Sequence, residues 1–123
     1  MVGTNNLSKS EKFYDKLLDT VGLKKIYSDE SCVGYGQKTG PEIVEFYITM
    51  PVNGEPATYG NGTQISFLSN TRAEVDKFHA TGIENGGVCE GLPGLRPEGA
   101  TTYYSYVRDL NGNKICAYTE SKD

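Results

Sequence analysis

Residues 8–22 read SKSEKFYDKLLDTVG and residues 73–87 read AEVDKFHATGIENGG, and the two stretches taken together decide the fold. In the first, Phe13, Tyr14, Leu17, Leu18 and Val21 recur at the spacing of one helix face, which predicts an amphipathic helix over Ser8–Val21. Ser8 or Ser10 is expected to cap it by accepting from free N–H groups of the first turn, and Gly22 to stop it. The second stretch lies 65 residues further on, with Phe78 under Phe13, Lys77 under Lys12 and Gly87 under Gly22. It predicts a helix over Asn70–Ile83 with Val75, Phe78 and His79 on one face. Gly86-Gly87 closes it. A unit used twice fixes an architecture more firmly than any single element does.

Working outward from the helices, short strand-like runs fill the rest. Leu23–Ser28, Cys32–Gln37 and Ile43–Met50 follow the first helix; the last, IVEFYITM, is rich in β-branched and aromatic residues. Pro51–Gly62 is turn and loop material. Thr63–Leu68 opens the second cycle as a strand. After the second helix, Gly91–Gly99 (GLPGLRPEG) reads as a loop. Thr101–Arg108 and Lys114–Glu120 read as strands joined by a tight turn through Asn111-Gly112, two residues that tolerate positive φ. Val44-Glu45-Phe46-Tyr47 falls on Ile115-Cys116-Ala117-Tyr118 at an offset of 71. Each cycle is thus strand, helix and three strands, with module one at about 1–50, a linker at 51–61 and module two at about 62–123.

Composition narrows the function. At 123 residues the chain is one domain. It carries nine tyrosines, fifteen glycines and no tryptophan, with a net charge of −4. No apolar run approaches the ~18 residues that a spanning helix needs. A sequence pI near 5.0 without a Lys/Arg cluster argues against a nucleic-acid partner. Met1–Lys12 lacks the apolar core of a secretion signal. Cys32, Cys89 and Cys116 are odd in number and form no Cys-x-x-Cys pair, so free thiols in a reducing cytoplasm are expected.

Several phrases, in order, resemble the vicinal oxygen chelate superfamily of glyoxalase I, bleomycin-resistance proteins and extradiol dioxygenases. They are Gly3-Thr4-Asn5-Asn6-Leu7 with Lys12-Phe13-Tyr14; Gly62-Thr63-Gln64-Ile65-Ser66-Phe67; Val75-Asp76-Lys77-Phe78-His79-Ala80; Gly94-Leu95-Arg96-Pro97; and Tyr103-Tyr104 through Val107-Arg108-Asp109-Leu110-Asn111-Gly112-Asn113-Lys114-Ile115. The resemblance covers nearly the whole chain and is greatest to small single-domain glyoxalase-like proteins of bacteria. It implies an α+β fold of two paired βαβββ modules whose curled sheets form a cleft, a homodimer, and a small organic molecule as partner.

The resemblance also implies where a divalent ion (Zn²⁺, Ni²⁺ or Fe²⁺) would sit. Family ligands come from the first and last strands of each module and leave positions open for substrate. Carried over by position, they fall at Gln64, at Cys116 in place of a family glutamate, and at Glu45. The fourth falls ahead of Met1, so the first strand is expected to be nearly missing. This is a degenerate set. Cys116 between Ile115 and Ala117 reads better as a small buried thiol, and Gln64 as a hydrogen-bonded cleft residue. The expectation is therefore a binder with no required metal. A metal-dependent lyase, isomerase or dioxygenase is the alternative.

Ligand-binding candidates follow from residue chemistry. Arg96 carries a planar fork suited to a carboxylate. In the relatives a polar stretch, often with His, follows Arg-Pro; here it is Glu98–Thr102, without His. Tyr104 and Tyr106 share one face of a strand and Tyr103 lies on the other. With Tyr47 and Tyr118, matched by the repeat, they are expected to wall the cleft, giving apolar area with hydroxyls for a small amphiphile. His79, alone of its kind, reads as helix packing, and Cys32 and Cys89 as thiols without a role.

Overall fold

The computed structural model describes residues Met1–Asp123. Its elements are β1 (Val2–Gly3), α1 (Leu7–Asp19), β2 (Leu23–Ser28), β3 (Cys32–Gln37), β4 (Phe46–Thr49), β5 (Ile65–Leu68), α2 (Arg72–Glu84), β6 (Val88–Leu95), β7 (Tyr103–Arg108) and β8 (Lys114–Thr119). They make two four-stranded sheets, ordered β1-β4-β3-β2 and β5-β8-β7-β6. In each sheet the strand before the helix runs parallel to the last strand, and the other pairs are antiparallel. This is the expected α+β fold of two βαβββ modules, with a first strand of only two residues.

The helices start where side chains can satisfy their free N–H groups. Asn6 caps α1 by accepting from the Lys9 N–H at 3.0 Å, and Thr71 caps α2 by accepting from the Glu74 N–H at 3.2 Å. The expected caps Ser8 and Ser10 are instead inside α1. Ser10 is buried and bonded to Thr4 at 2.5 Å. Both helices lie on the same side of their sheets, and their apolar faces meet in one core. Phe46 of module one packs edge-on against Phe67 of module two at 5.1 Å, and Phe67 lies 6.1 Å from Phe78. Phe13, Leu17, Leu18, Val75, Val107 and Ile115 complete that core.

Two parts depart from the sequence reading. Gly91–Leu95 is not loop but the second half of β6. Its pairing with β7 shifts register between Cys89 and Gly91 and again between Gly91 and Gly94. Two irregularities and the low strand propensity of Gly and Pro erase the alternating pattern. The repeat offset also needs correcting. The Thr4 N–H donates to the Thr49 carbonyl, and the Ser69 N–H to the Tyr118 carbonyl. The first strand and helix thus repeat at 65 but the last strand at 69, so Cys116 is matched by Tyr47, not Glu45, and Tyr118 by Thr49.

One buried carboxylate pins the modules to each other. Asp109, at the start of the turn joining β7 to β8, accepts from the Tyr14 hydroxyl at 2.6 Å, the Asn111 N–H at 2.8 Å, the Asn113 N–H at 2.9 Å and the Asn113 side-chain amide at 2.9 Å. The turn then reaches back: Asn111 Nδ2 donates to Thr4 and Ser10, and Asn113 Nδ2 to the Gly3 carbonyl. Burial, then the charge and hydrogen bond of Asp109, push the Tyr14 phenol well above its ordinary 10.0. Raised in the folded state, it contributes stability that is complete below pH ~10 and is lost as pH climbs from there towards the folded value. Tyr14→Phe is expected to lose about 1.5–3 kcal/mol at pH 7, since a bond to a buried carboxylate is removed. It should also lose stability less steeply than the wild type above pH ~10. Urea denaturation at pH 7, 9.5 and 10.5 measures both.

Candidate functional site

With the helices facing inward, each sheet turns its other face outward. In module one that face is filled by the chain itself. A Cβ on Gly34 would lie 2.8 Å from Val44, and one on Gly36 would lie 2.1 Å from the Ile43 carbonyl. Ile43–Tyr47 therefore crosses a floor that only glycine allows, and β4 begins at Phe46 rather than at Ile43.

The outer face of module two is built differently. Register places Tyr104 beside Tyr118 and Tyr106 beside Cys116 across β7 and β8, with Ser66 beside Cys116 on β5. Three half-buried tyrosines form a near-parallel stack. Tyr104 and Tyr106 are 5.7 Å apart at 12°, and Tyr104 and Tyr118 are 5.9 Å apart at 25°. Cations flank it: the Arg96 guanidinium lies 5.5 Å from the Tyr106 ring and Lys114 Nζ lies 5.1 Å from it. Arg96 donates from Nη2 to the Leu92 carbonyl, while its Nε is buried with no acceptor. Burial raises the Tyr106 phenol, and positive charge from Arg96 and Lys114 edges the face.

The tyrosines expected to work together are thus separated in part. Tyr104, Tyr106 and Tyr118 share the platform with Arg96. Tyr103 is on the helix side, where its hydroxyl donates to Asp76 at 2.7 Å and its ring lies 5.1 Å from the Arg72 guanidinium. Tyr47 stands on the outer face of the other sheet, against Gly34. Lys114 was not singled out from the sequence. It alternates with Cys116 and Tyr118 along β8, and that pattern becomes informative only once the turn fixes the β7–β8 register.

The expected metal donors do not assemble into a donor set. Gln64 Nε2 donates to Ser66 Oγ at 3.0 Å and approaches Cys116 Sγ at 3.6 Å, while the thiol donates to Ser66 at 3.1 Å. Burial pushes the Cys116 thiol above its ordinary value, with the Ser66 bond opposing. Glu45 is an exposed carboxylate bonded to Gln37 at 2.8 Å, in the segment before β4. Its counterpart by register is Lys114. No three His, Cys, Asp or Glu side chains converge on a common point. The residues present do not fit a divalent ion.

A cavity of about 420 Å³ lies away from the platform. It opens at the seam of the modules between Leu23, Phe46, Ile65 and Phe67, with Glu45 and Gln37 at its polar side. Gln37 and Glu45 at its polar side are already bonded to each other, whereas the platform gathers two cations beside three half-buried tyrosines. The platform is therefore the better candidate. Its floor is tight at one point, since a Cβ on Gly91 would lie 2.8 Å from the Tyr106 ring and 3.1 Å from Arg96. Gly91→Ala is expected to displace Tyr106, cost about 1–3 kcal/mol and change the tyrosine near-ultraviolet circular dichroism. Gly94→Ala, whose Cβ meets nothing within 4 Å, should change neither.

Comparison with solved structures finds this fold in many proteins. A glyoxalase/bleomycin resistance protein from Albidiferax ferrireducens T118 is 45% identical over 97% of this chain and 93% of its own, with a TM-score of 0.83. A glyoxalase/bleomycin resistance protein/dioxygenase family enzyme from Burkholderia phytofirmans PsJN is 15% identical over 98% and 94%, with a TM-score of 0.70. A lactoylglutathione lyase from Agrobacterium tumefaciens is 22% identical over 96% and 88%, with a TM-score of 0.64. The last two share the fold alone. No family model matches the chain, and no curated protein matches it.

Proposed function

Because the chain belongs to the glyoxalase/bleomycin resistance protein family, we propose that it is a small-molecule binder that sequesters a planar organic anion on its tyrosine platform without a required metal. The observation that carries this reading is the stack of Tyr104, Tyr106 and Tyr118 with Arg96 and Lys114 over Tyr106. The stacked tyrosines give apolar aromatic area with hydroxyls for a small ring-bearing ligand, and the cations favour one bearing negative charge.

The proposal includes a homodimer. Leu68, 65% exposed beside Tyr118 on β5, borders the platform with an apolar side chain that a second copy would cover. Three free cysteines support a reducing compartment, the cytoplasm.

Calorimetric titration with a small aromatic carboxylate, such as naphthoate, tests the reading. Tyr106→Ala should weaken binding about tenfold, the worth of one lost stacking and cation–π partner. Arg96→Met should weaken the acid but not its neutral amide. Prior chelation should leave affinity unchanged. The proposal fails if platform variants bind normally while Glu45→Ala or chelation abolishes binding, because the ligand would then sit at the seam cavity or on a metal.

A further inference from the structure

We propose that Cys89 is a modification site for small disulfides, with His79 as the base that takes its proton. The two are ten residues apart in sequence and belong to different elements, yet His79 Nε2 lies 3.2 Å from Cys89 Sγ. Cys89 is exposed on β6, the edge strand of its sheet, whereas His79 is 9% exposed on α2 behind it. The thiol is open to a reagent on its solvent side and backed by an imidazole on the other.

Burial, not charge, favours the neutral form of the His79 imidazole. Burial lowers the His79 imidazole below its usual range, and Asp76, one turn earlier on α2, opposes this. Asp76 in turn accepts from the Tyr103 hydroxyl of β7, and Tyr103 carries the Arg72 guanidinium of α2 over its ring. On β6 and β7 the neighbouring charges, Glu90 and Arg108, are bonded to each other at 3.1 Å. A neutral imidazole beside a thiol accepts the S–H bond and is ready to take the proton.

The chemistry balances without an added oxidant. As the Cys89 sulfur attacks one sulfur of the incoming disulfide, its proton passes to His79 Nε2. The new S–S bond forms as the old one breaks, the departing thiolate leaves on the solvent side and takes a proton from water, and His79 returns its proton to solvent. The protein holds a mixed disulfide, and a second thiol reverses the step.

The other cysteines are internal controls. The chain has one histidine, so neither Cys32 nor Cys116 has an imidazole. Cys32 is half-buried, with its thiol pushed up by burial and then by Asp29, and Cys116 is fully buried, with its thiol pushed up by burial. Both are expected to exchange slowly.

The folded protein is treated with bis(2-hydroxyethyl) disulfide, a neutral probe, quenched in acid and mapped by peptide mass. Cys89 should react at least tenfold faster than Cys32, with Cys116 unmodified. Between pH 6.5 and 7.5 the Cys89 rate should rise less than threefold, because neutral imidazole is the base throughout. An unassisted thiol rises about tenfold per pH unit below its pKa. His79→Gln, which keeps a hydrogen-bonding side chain but no base, should slow Cys89 about tenfold and restore the steep rise. Equal rates at Cys89 and Cys32, or a tenfold rise in the wild type, would overturn the proposal, and neither measurement depends on the variant folding.

Discussion

A carboxylate with almost no contact to water must have its oxygens filled by protein donors, and the arrangement of this molecule follows from how Asp109 meets that demand. Two of its four donors are backbone N–H groups of its own turn and one is the side chain of Asn113, so the turn is shaped around it. The fourth, Tyr14, comes from the helix of the other module. Asn111 and Asn113, oriented by the same carboxylate, reach Thr4, Ser10 and Gly3. The end of the second module is therefore fastened to the beginning of the first. Removing one donor leaves the others holding a less compensated charge, which is why such a cluster constrains more than the sum of its bonds.

Both helices face inward onto one apolar core and both remaining sheet faces turn outward, but the faces are not equal. Module one covers its own with Ile43–Tyr47, made possible by Gly34 and Gly36. Module two leaves its face to three stacked tyrosines and two cations. A duplicated fold has thus kept one copy closed and one open. The aromatic content of a chain with few large aliphatics is divided accordingly: Tyr14 and Tyr35 are in the core, while Tyr104, Tyr106 and Tyr118 build the surface.

The helices and the doubled unit were legible because a 3.6-residue period over thirteen residues survives loop variation, and the offset of 65 relates both helices. The last strands repeat at 69, not at the 71 that the sequence pattern suggests. A strand's period of two keeps the same face after such a slip, so Glu45 stood where Tyr47 belongs without any break in pattern. Tyr104 and Tyr106 could be placed on one face by alternation alone, and Tyr103 on the other. The two cations over Tyr106 could not, because Arg96 arrives from a strand hidden by Gly91, Pro93 and Gly94. The contact between His79 and Cys89 leaves no sequence signal at all, since it depends on where β6 passes α2.

The irregular β6 has one more consequence. Each sheet has two edge strands, β1 and β2 in one and β5 and β6 in the other, and a row of free N–H and C=O groups along such an edge invites another chain to add itself and begin aggregation. The two register shifts of β6 interrupt that row, and Pro93 removes a donor from it. On β2 a shift between Lys25 and Tyr27 does the same beside two lysines, Lys24 and Lys25. The bulges that obscure these strands to a reader of the sequence also make them poor templates for a misfolded neighbour.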